Sequence, residues 1–499
     1  MRAAPLGLTL CLVGAGVNTS NGQEGLGKIK TIVVIYAENR SFDHLYGFFP
    51  GANGIANASE EHKTQLDHDG TPLPYLTIFD RGKPNPRFPR MPNAPFRIDA
   101  PPIGLAPSAI GPNPIHAYYH NREQINDGKN NMFAAMSNVG GWTMGHFLDP
   151  QLHLWEWAKE YTLADNFFMG AFGGSYLNHL WLVCACTPKF DDAPESMRAR
   201  LDPNGTLTKR PDSPSAKDGA VQVFSADGGQ VSPDGYTVNT IQPPYQPSGI
   251  PPAPDGDRDL ADPNGTTARG RPLPPQTLKT IGDTLSARGV DWVWYAGGYD
   301  AALADGRQPP EEKRRVIYSG AEGDLYFQPH HQPFNYFARF APGRPDRAKH
   351  LRDGDDLLRD IAAGTLAPVV FYKPVGHLNQ HPAYTDVISG DVHIADVLAR
   401  LRNSPQWSDM AVIVTYDENG GFWDHVPPPT GAGWGDRWGP GTRVPTIIVS
   451  PYARRAHIDK TSYDTTAILK FISRRFALDP LSGVRENTGD LTGAFDFAP

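Results

Sequence analysis

Three carboxylates and one carboxamide stand directly after two apolar, β-branched runs of the sequence. Glu38 and Asn39 follow the first run, and Asp417 and Glu418 follow the second. Carboxylates that are brought close together repel one another unless a proton or a cation lies between them. Because all of these donors are oxygen atoms, the set suits a hard divalent ion such as Ca²⁺ or Mg²⁺ better than Zn²⁺. The pattern predicts a metal site; the alternative is that these residues are solvated loop residues or helix N-caps.

A serine preceded by two glycines is the second feature, within the segment 171–179 (AFGGSYLNH). The glycine pair allows a sharp turn that exposes the hydroxyl of Ser175 at the start of the following helix. Free backbone N–H groups and the positive end of the helix dipole favour a phosphate at such a position. Leu177 stands where the G-x-S-x-G elbow of hydrolases has its last glycine, so the segment is not that motif. Ser175 is either a nucleophile or an ordinary N-cap serine.

Six histidines lie in polar, turn-rich surroundings near these motifs: His116, His330, His331, His377, His381 and His425. Each of them alone is typical of a packed or exposed histidine. As a group they can supply donors for a phosphate and a general acid for a departing alkoxide.

Several other chemistries are excluded by the absence of their motifs. The chain has no G-x-x-x-x-G-K-[ST] phosphate loop and no H-E-x-x-H zinc site. The segment 186–190 (CTPKF) begins like the sulfatase motif C-x-P-x-R, but Phe190 stands where arginine is required. Lys and Arg number 46 against 54 Asp and Glu, a formal charge of −8, and no basic run occurs. Nucleic acid is therefore not expected as a partner.

The elements that must position these groups are buried strands separated by helices. Four apolar runs predict strands at Ile32–Tyr36, Val369–Tyr372, Met410–Tyr416 and Val444–Val449. Helical patterns cover Gln151–Tyr161, Leu278–Arg288, Gly354–Ala363, Val392–Asn403 and Asp464–Phe476. This alternation predicts an α/β fold, a three-layer α/β/α sandwich with a mainly parallel central sheet. Ligands of open α/β sheets bind beyond the carboxyl ends of the strands, where the acidic residues stand.

Glycine and proline are unusually frequent in the 499 residues. There are 51 Gly and 49 Pro, together one residue in five, against about 12% in ordinary proteins. Many of them fall in two irregular stretches, 81–115 and 201–275, which interrupt the strand–helix pattern. We expect a single catalytic domain over 28–499 in which these long loop insertions wall a substrate cleft.

The first 27 residues read as a signal segment with a flexible N-terminus. Arg2 is followed by an apolar stretch from Ala3 to Val17, which predicts a secreted or periplasmic protein; a disordered start to a cytosolic protein is the alternative. No apolar run reaches the length of about 18 residues of a membrane-spanning helix, so stable membrane insertion is not expected. Cys184 and Cys186 are either two thiols packed in a strand or a bridged pair.

Four segments together resemble the bacterial phosphoesterase family, which joins acid phosphatases of the acid phosphatase A type with non-haemolytic phospholipases C. They are 38–43 (ENRSFD), 174–179 (GSYLNH), the pair His381-Pro382, and 417–425 (DENGGFWDH). The resemblance extends over nearly the whole chain after residue 28. It implies an alkaline-phosphatase-like fold and the hydrolysis of phosphoesters.

The resemblance also implies roles for individual residues. The expected ligands of one divalent metal ion are Glu38, Asn39, Ser175, Asp417 and Glu418. Ser175 is the expected nucleophile, which forms a phosphoserine intermediate. His116 and His381 are expected to bind phosphate or protonate the leaving group. The expected substrate-binding residues are Asn178 and either His330 or His331.

Two departures from the phospholipase pattern favour the phosphatase branch of the family. Ser175 with Asn178 replaces the T-x-P-N-R-like context of the phospholipases, and the chain ends about twenty residues after the predicted helix that reaches Phe476. We expect an acid phosphatase that hydrolyses small phosphomonoesters, with an acidic optimum because protonated histidines bind the phosphate dianion best. The alternatives are a phospholipase C acting on phospholipid head groups at the same site, a non-catalytic cation-binding protein, and a loop-rich adhesin, which leaves the acidic residues unexplained.

Overall fold

The computed structural model describes residues 25–148, 151–225, 228–320 and 324–498. Residues 1–24, which hold most of the predicted signal segment, lie outside the described part of the chain. Among the helices that are described, none combines the length and the apolar character needed to cross a membrane.

An eight-stranded sheet forms the centre of the fold. In chain order its strands are β1 (Thr31–Ala37), β2 (Thr162–Ala164), β3 (Trp292–Ala296), β4 (Leu351–Asp353), β5 (Val369–Lys373), β6 (Met410–Tyr416), β7 (Thr446–Val449) and β8 (His457–Asp459). Across the sheet they stand in the order β8-β2-β7-β6-β1-β5-β3-β4. Seven strands are mutually parallel and β7 runs antiparallel to its neighbours. The predicted α/β fold with a mainly parallel sheet is confirmed.

Helices cover both faces of this sheet. They are α1 (Phe42–Tyr46), α2 (Glu60–Lys63), α3 (Tyr118–Ile125), α4 (His153–Glu160), α5 (Ser175–Cys184), α6 (Ile281–Ala287), α7 (Tyr299–Gly306), α8 (Pro345–His350), α9 (Gly354–Ala363), α10 (Val387–Arg402) and α11 (Thr466–Phe476). Helix α10 packs against α4 and α9, and α5 packs against α6 and α11. Every residue of β1 and β6 is buried. Because successive strand side chains point to opposite faces, both faces must be covered.

The register of the two central strands brings the first pair of motifs together. Strands β1 and β6 are parallel neighbours, and Ala37 at the end of β1 pairs with Tyr416 at the end of β6. The residues that follow, Glu38 and Asp417, therefore leave the sheet at the same level and on the same edge.

The two glycine- and proline-rich stretches lie outside this sheet. As far as they are described, residues 81–115 and 201–275 contribute none of its strands. The short pairings elsewhere join Phe79–Asp80 to Lys83–Pro84, Phe96–Arg97 to Gly145–His146, and Phe167–Phe168 to Tyr463–Asp464. A disulfide joins Cys184 to Cys186. The alternative of two thiols in a strand is wrong, because Cys184 is the last residue of α5.

One buried carboxylate links two helices on the same face and predicts how stability depends on pH. Asp391 of α10 accepts hydrogen bonds from the backbone N–H groups of His153 (2.6 Å) and Leu154 (3.0 Å) at the start of α4. Burial raises the pKa of Asp391 to about 6. The folded protein holds the proton of Asp391 more tightly than the unfolded chain does. Protonated Asp391 therefore adds to the free energy of unfolding below about pH 4, and this stabilisation is lost as the pH rises through 6.

We therefore expect the Asp391→Asn variant, which cannot ionise, to lose less stability at pH 7.5 than at pH 4. The difference should be about 3 kcal/mol, two pKa units at 1.36 kcal/mol each. Urea unfolding of both proteins at the two pH values measures it. Asp396→Asn, on the exposed part of the same helix where Asp396 pairs with Arg400, is the control and should show no such difference. If Asp391→Asn lost the same free energy of unfolding at both pH values, the raised pKa of Asp391 would be contradicted.

Candidate active site

The loops that follow β1 and β6 are joined to each other by hydrogen bonds. The backbone N–H of Asn39 donates to Asp417 Oδ1 at 3.0 Å, and the N–H of Arg40 donates to the carbonyl of Glu418 at 3.0 Å. Asn39 adopts a left-handed backbone conformation with φ of 62°, which asparagine tolerates better than most residues. Glu38, Asn39, Asp417 and Glu418 are all fully buried. The four predicted metal ligands of the strand ends therefore lie together.

Ser175 faces these side chains from the first turn of α5. Its Oγ lies 3.2 Å from Asn39 Oδ1, 3.3 Å from Glu38 Oε1 and 3.4 Å from Glu418 Oε1. A hydroxyl has one proton to donate, so it can satisfy only one of three acceptors at a time. The structure thus gathers four oxygen atoms around a point where a cation would satisfy all of them. Asp417 stands next to this group, and its Oδ1 also accepts from the N–H of Glu418 at 2.8 Å.

The charges of the site fit a bound cation. Burial raises the pKa of Asp417 to about 7, and burial together with the neighbouring Asp417 raises the pKa of Glu418 well above its usual value. Burial acts in the same direction on Glu38, but His331 and Lys373 outweigh it and hold the pKa of Glu38 well below its usual range. The Oδ2 atom of Asp417 is buried without a hydrogen-bond partner. Unpaired buried carboxylate oxygens of this kind are the donor set that Ca²⁺ and Mg²⁺ take.

Sequence reasoning missed Lys373, the last residue of β5. Its side chain is fully buried, and Nζ lies 3.3 Å from Glu38 Oε2 and 3.7 Å from Asp417 Oδ2. The sequence did contain a signal for Lys373. It directly follows the apolar run 369–372, just as Glu38 and Asp417 follow the apolar runs of β1 and β6.

A second missed group holds Glu38 from the side of the His381 loop. The side-chain amide of Asn379 donates to Glu38 Oε2, and that of Gln328 reaches Glu38 Oε1 at 3.5 Å. Both amides also contact the hydroxyl of Tyr384, at 3.2 and 2.8 Å. The ring of Tyr384 stacks on His381 with centroids 4.4 Å apart. Through these contacts Asn379, Gln328 and Tyr384 fix the orientation of both the Glu38 carboxylate and the His381 ring.

The predicted histidines surround the same point. His331 Nε2 lies 3.1 Å from Glu38 Oε1, and both ring nitrogens of the buried His330 lack a hydrogen-bond partner among the described atoms. Glu38, His330 and His331 offer ligand atoms close enough together to hold a metal ion. His116 Nε2 lies 3.3 Å from Asn39 Nδ2, and the ring of His381 stands 5.8 Å from that of His116.

Burial changes the expected protonation of these histidines. It lowers the pKa of His381 to about 3 and the pKa of His330 well below its usual value. Burial also lowers the pKa of His331, although Glu38 opposes this. The imidazoles of His381 and His330 are therefore neutral at mildly acidic pH. The reason given above for an acidic optimum, binding of the phosphate dianion by protonated histidines, does not hold for them.

Asn178 does not face the site. Its Oδ1 accepts from the N–H of Ala171 at 2.9 Å, and its Nδ2 contacts the carbonyls of Ala171, Gly173 and Gly174 at 3.1 to 3.3 Å. The carboxamide is thus fully used in closing the turn that precedes Ser175. This geometry does not support the expected substrate contact; it indicates that Asn178 positions the hydroxyl of Ser175.

The outer halves of the two strand-end motifs form a separate buried cluster. Asp43 contacts His425 Nδ1 at 2.7 Å, and both Asp43 and Asp424 lie 3.0 Å from the guanidinium of Arg443. The two carboxylates and His425 have the spacing of metal ligands. Because Arg443 already supplies the positive charge between the carboxylates, we interpret the cluster as a structural connection, not as a second metal site.

A cavity of about 260 Å³ opens beside Ser175. Its walls include Asn113 and His116 near the end of the first insertion, Asn239 and Arg269 from the second, and Tyr176 next to the serine. Both insertions therefore border the cavity next to Ser175.

Comparison with known proteins shows the family to which the sequence is similar. The chain matches the model of the Phosphoesterase family over residues 29–479. It is 27% identical to phospholipase C B of Mycobacterium tuberculosis over 508 aligned positions, which cover 94% of this chain and 78% of that protein. It is 32% identical to the non-hemolytic phospholipase C of Burkholderia pseudomallei over 44% of this chain and 36% of the relative.

Solved structures give weaker likenesses. The alignment with an alkaline phosphatase superfamily protein from Vibrio parahaemolyticus covers 79% of this chain and 75% of that protein, with 12% identity and a TM-score of 0.31. The alignment with the lipoteichoic acid synthase LtaP of Listeria monocytogenes covers 95% of this chain and 81% of LtaP, with 7% identity and a TM-score of 0.33.

Proposed function

This chain belongs to the phosphoesterase family, and we propose that it hydrolyses phosphomonoesters with Ser175 as nucleophile and one hard divalent ion as cofactor. The observation that carries the proposal is the convergence of Glu38, Asn39 and Glu418 oxygens on the Ser175 hydroxyl, within 3.2 to 3.4 Å. An ordinary N-cap serine does not need three buried acceptors around its oxygen atom. The position at the start of α5 also aims backbone N–H groups at a bound phosphate.

The residues divide the chemical work as follows. A divalent ion held by Glu38, Asn39, Asp417 and Glu418 would neutralise phosphate oxygens and lower the energy of the Ser175 alkoxide. Oγ of Ser175 attacks phosphorus in line, the bond from oxygen to phosphorus forms, and the bond to the leaving alcohol breaks. Water then attacks the phosphoserine, which returns the serine hydroxyl and releases phosphate.

His116 is the best placed general acid for the leaving alcohol. It lines the cavity, and its Nδ1 lies 2.8 Å from the carbonyl of Pro114, which fixes the orientation of the ring. Nε2 faces the site, 3.7 Å from Glu418 Oε1. A ring nitrogen that faces the cavity and is held in a fixed orientation can pass a proton to the leaving oxygen. His381 and His330 or His331 contribute as hydrogen-bonding groups for the phosphate.

The cavity supports a phosphomonoester over a phosphocholine ester. Among the described residues that line it there is no carboxylate; apart from His116, there is one aromatic side chain, Tyr176, and one basic side chain, Arg269. A quaternary ammonium is bound by aromatic cages and attracted by acids, and this wall offers neither. A second candidate, a phospholipase C acting on phospholipid head groups, is favoured by the names of the relatives that align over most of this chain.

Hydrolysis of two chromogenic substrates distinguishes the candidates. We expect kcat/KM for p-nitrophenyl phosphate to exceed that for p-nitrophenylphosphorylcholine by about tenfold or more, the equivalent of one lost cation–π contact. The reverse ratio would support the phospholipase. Activity with neither substrate, after addition of Ca²⁺, Mg²⁺ or Mn²⁺ to protein freed of metal, would contradict both candidates.

We also propose that the protein works in an oxidising compartment. The bridge between Cys184 and Cys186 is of a kind that persists outside the cytosol, which supports secretion or a periplasmic location. Cell fractionation of the expressed full chain tests this directly.

A further inference from the structure

The buried ammonium of Lys373 occupies an unusual position in the carboxylate group. Glu38 offers one oxygen to each side, with Oε1 toward Ser175 and Oε2 at 3.3 Å from Lys373 Nζ. Asp417 Oδ2, which lacks a hydrogen-bond partner, lies 3.7 Å from the same nitrogen. The carbonyl of Ala37 accepts from Nζ at 3.3 Å. Lys373 therefore bridges two of the proposed metal ligands from the side away from the nucleophile.

A bridging cation at this place resembles the arrangement of two-metal hydrolases. In such sites two ions about 3.5–4 Å apart share carboxylate ligands. Here Glu38 Oε1 belongs to the group of oxygens around Ser175 while Oε2 belongs to Lys373. The ammonium thus contacts two carboxylates of the group, Glu38 and Asp417, as the second ion of a pair would share them.

The charges of the free site balance with one divalent ion and not with two. Glu38, Asp417 and Glu418 carry three negative charges when ionised, and Lys373 carries one positive charge. One divalent ion brings the sum to zero, and a second would leave two uncompensated positive charges in a buried site, which is costly.

We propose that Lys373 takes the place of a second metal ion and restricts the Ser175 site to one divalent ion. This inference rests on the metal site of the proposed function. Lys373 is a positioning residue: its Nζ faces Glu38, Asp417 and Ala37, and it acts on the reaction through the carboxylates that it holds.

Binding of Mn²⁺ to the full chain tests the inference without measuring turnover. We expect the wild-type protein to bind one Mn²⁺ at this site and to give the EPR spectrum of an isolated ion. Lys373→Ser removes the charge and leaves room beside Glu38 and Asp417, so it should bind a second Mn²⁺ and give the spectrum of a spin-coupled pair. Lys30→Ser is the matched control, because Lys30 is exposed at the start of the same sheet and pairs only with Asp409 among the described ion pairs; it should behave as the wild type.

Two results would overturn the inference. One is a coupled Mn²⁺ pair in the wild-type protein, which can be looked for even if the Lys373→Ser variant fails to fold. The other is a folded Lys373→Ser variant, verified by near-UV circular dichroism, that still binds a single isolated ion. Because neither readout involves hydrolysis, a protein that binds one Mn²⁺ but cleaves no phosphoester would refute the proposed function and leave the inference about Lys373 standing.

Discussion

Replacement of Ser175 by alanine should abolish turnover while the protein still binds phosphate. The hydroxyl is the only group that we assign to the attack on phosphorus, and removal of a nucleophile that acts together with its activating groups lowers kcat by about 10⁴-fold or more. The surrounding donors stay in place, because Asn178 holds the turn through the backbone of Ala171, Gly173 and Gly174 and not through the serine side chain. Inorganic phosphate should therefore bind to the variant with an affinity within about tenfold of the wild type, a change of no more than 1.4 kcal/mol.

The measurement is p-nitrophenyl phosphate hydrolysis together with titration of inorganic phosphate by calorimetry. Ser59→Ala is a suitable control, since Ser59 caps the exposed helix α2 by accepting from the N–H of His62 at 3.2 Å and should leave kcat unchanged. A Ser175→Ala variant with the kcat of the wild type would show that water or another residue attacks phosphorus. Loss of phosphate binding together with turnover would show that the hydroxyl is needed to assemble the site.

The strand-end groups could be predicted from the sequence because their signal is local. A buried strand must end where its apolar run ends, and in a parallel sheet the carboxyl ends of neighbouring strands meet on one edge. Glu38 and Asp417 follow such runs directly, and the pairing of Ala37 with Tyr416 brings them to one level. The sequence alone could not specify that β1 and β6 are neighbours, but two acidic ends of one sheet made their meeting the simplest arrangement.

The remaining parts of the site depend on tertiary contacts that no short pattern encodes. Asn379 and Gln328 are polar loop residues like many others, and only the fold brings them to Glu38. Similarly, β2, β4 and β8 have three residues each, too few for periodicity to be recognised. Strand β3 was missed although its segment WVWYA is apolar and aromatic, so here a signal existed. Strand β7 was predicted, but a strand that is buried on both faces gives no sign of its direction.

Protonation is the property for which sequence reasoning was least adequate. A histidine in a polar, proline-rich segment is expected near its usual pKa, yet His381 lies almost fully buried between His116 and Tyr384. Residue type predicts that a group can carry a proton; the cost of removing its charge from water decides whether it does. An acidic optimum, if it is found, must therefore have a source other than protonated His330 and His381.

Replacement of Arg443 should lower the free energy of unfolding more than any other substitution proposed for this protein. It is fully buried, its guanidinium contacts Asp43 and Asp424, and it donates to the carbonyls of Asn53 and Asp165 at 2.8 Å each. Arg443→Met keeps much of the side-chain volume but leaves two carboxylates without their counter-charge. Breaking a buried ion pair on one side costs about 3–5 kcal/mol. We expect a loss of that size in the free energy of unfolding at pH 8, measured with urea.

Two further measurements separate the loss of charge from the loss of packing. Burial already raises the pKa of Asp424 to about 6 in the presence of Arg443, and without the guanidinium it should rise further. A group with a raised folded-state pKa stabilises the protein while it is protonated, so the defect of Arg443→Met should shrink as the pH falls from 8 to 5. Adding Asp424→Asn to Arg443→Met should restore part of the stability at pH 8, whereas Arg437→Met, which breaks the exposed pair with Asp234, should cost less than about 1 kcal/mol. If the Arg443→Met defect is independent of pH and unaffected by Asp424→Asn, the cluster is held by packing and the two motifs are not joined through charge.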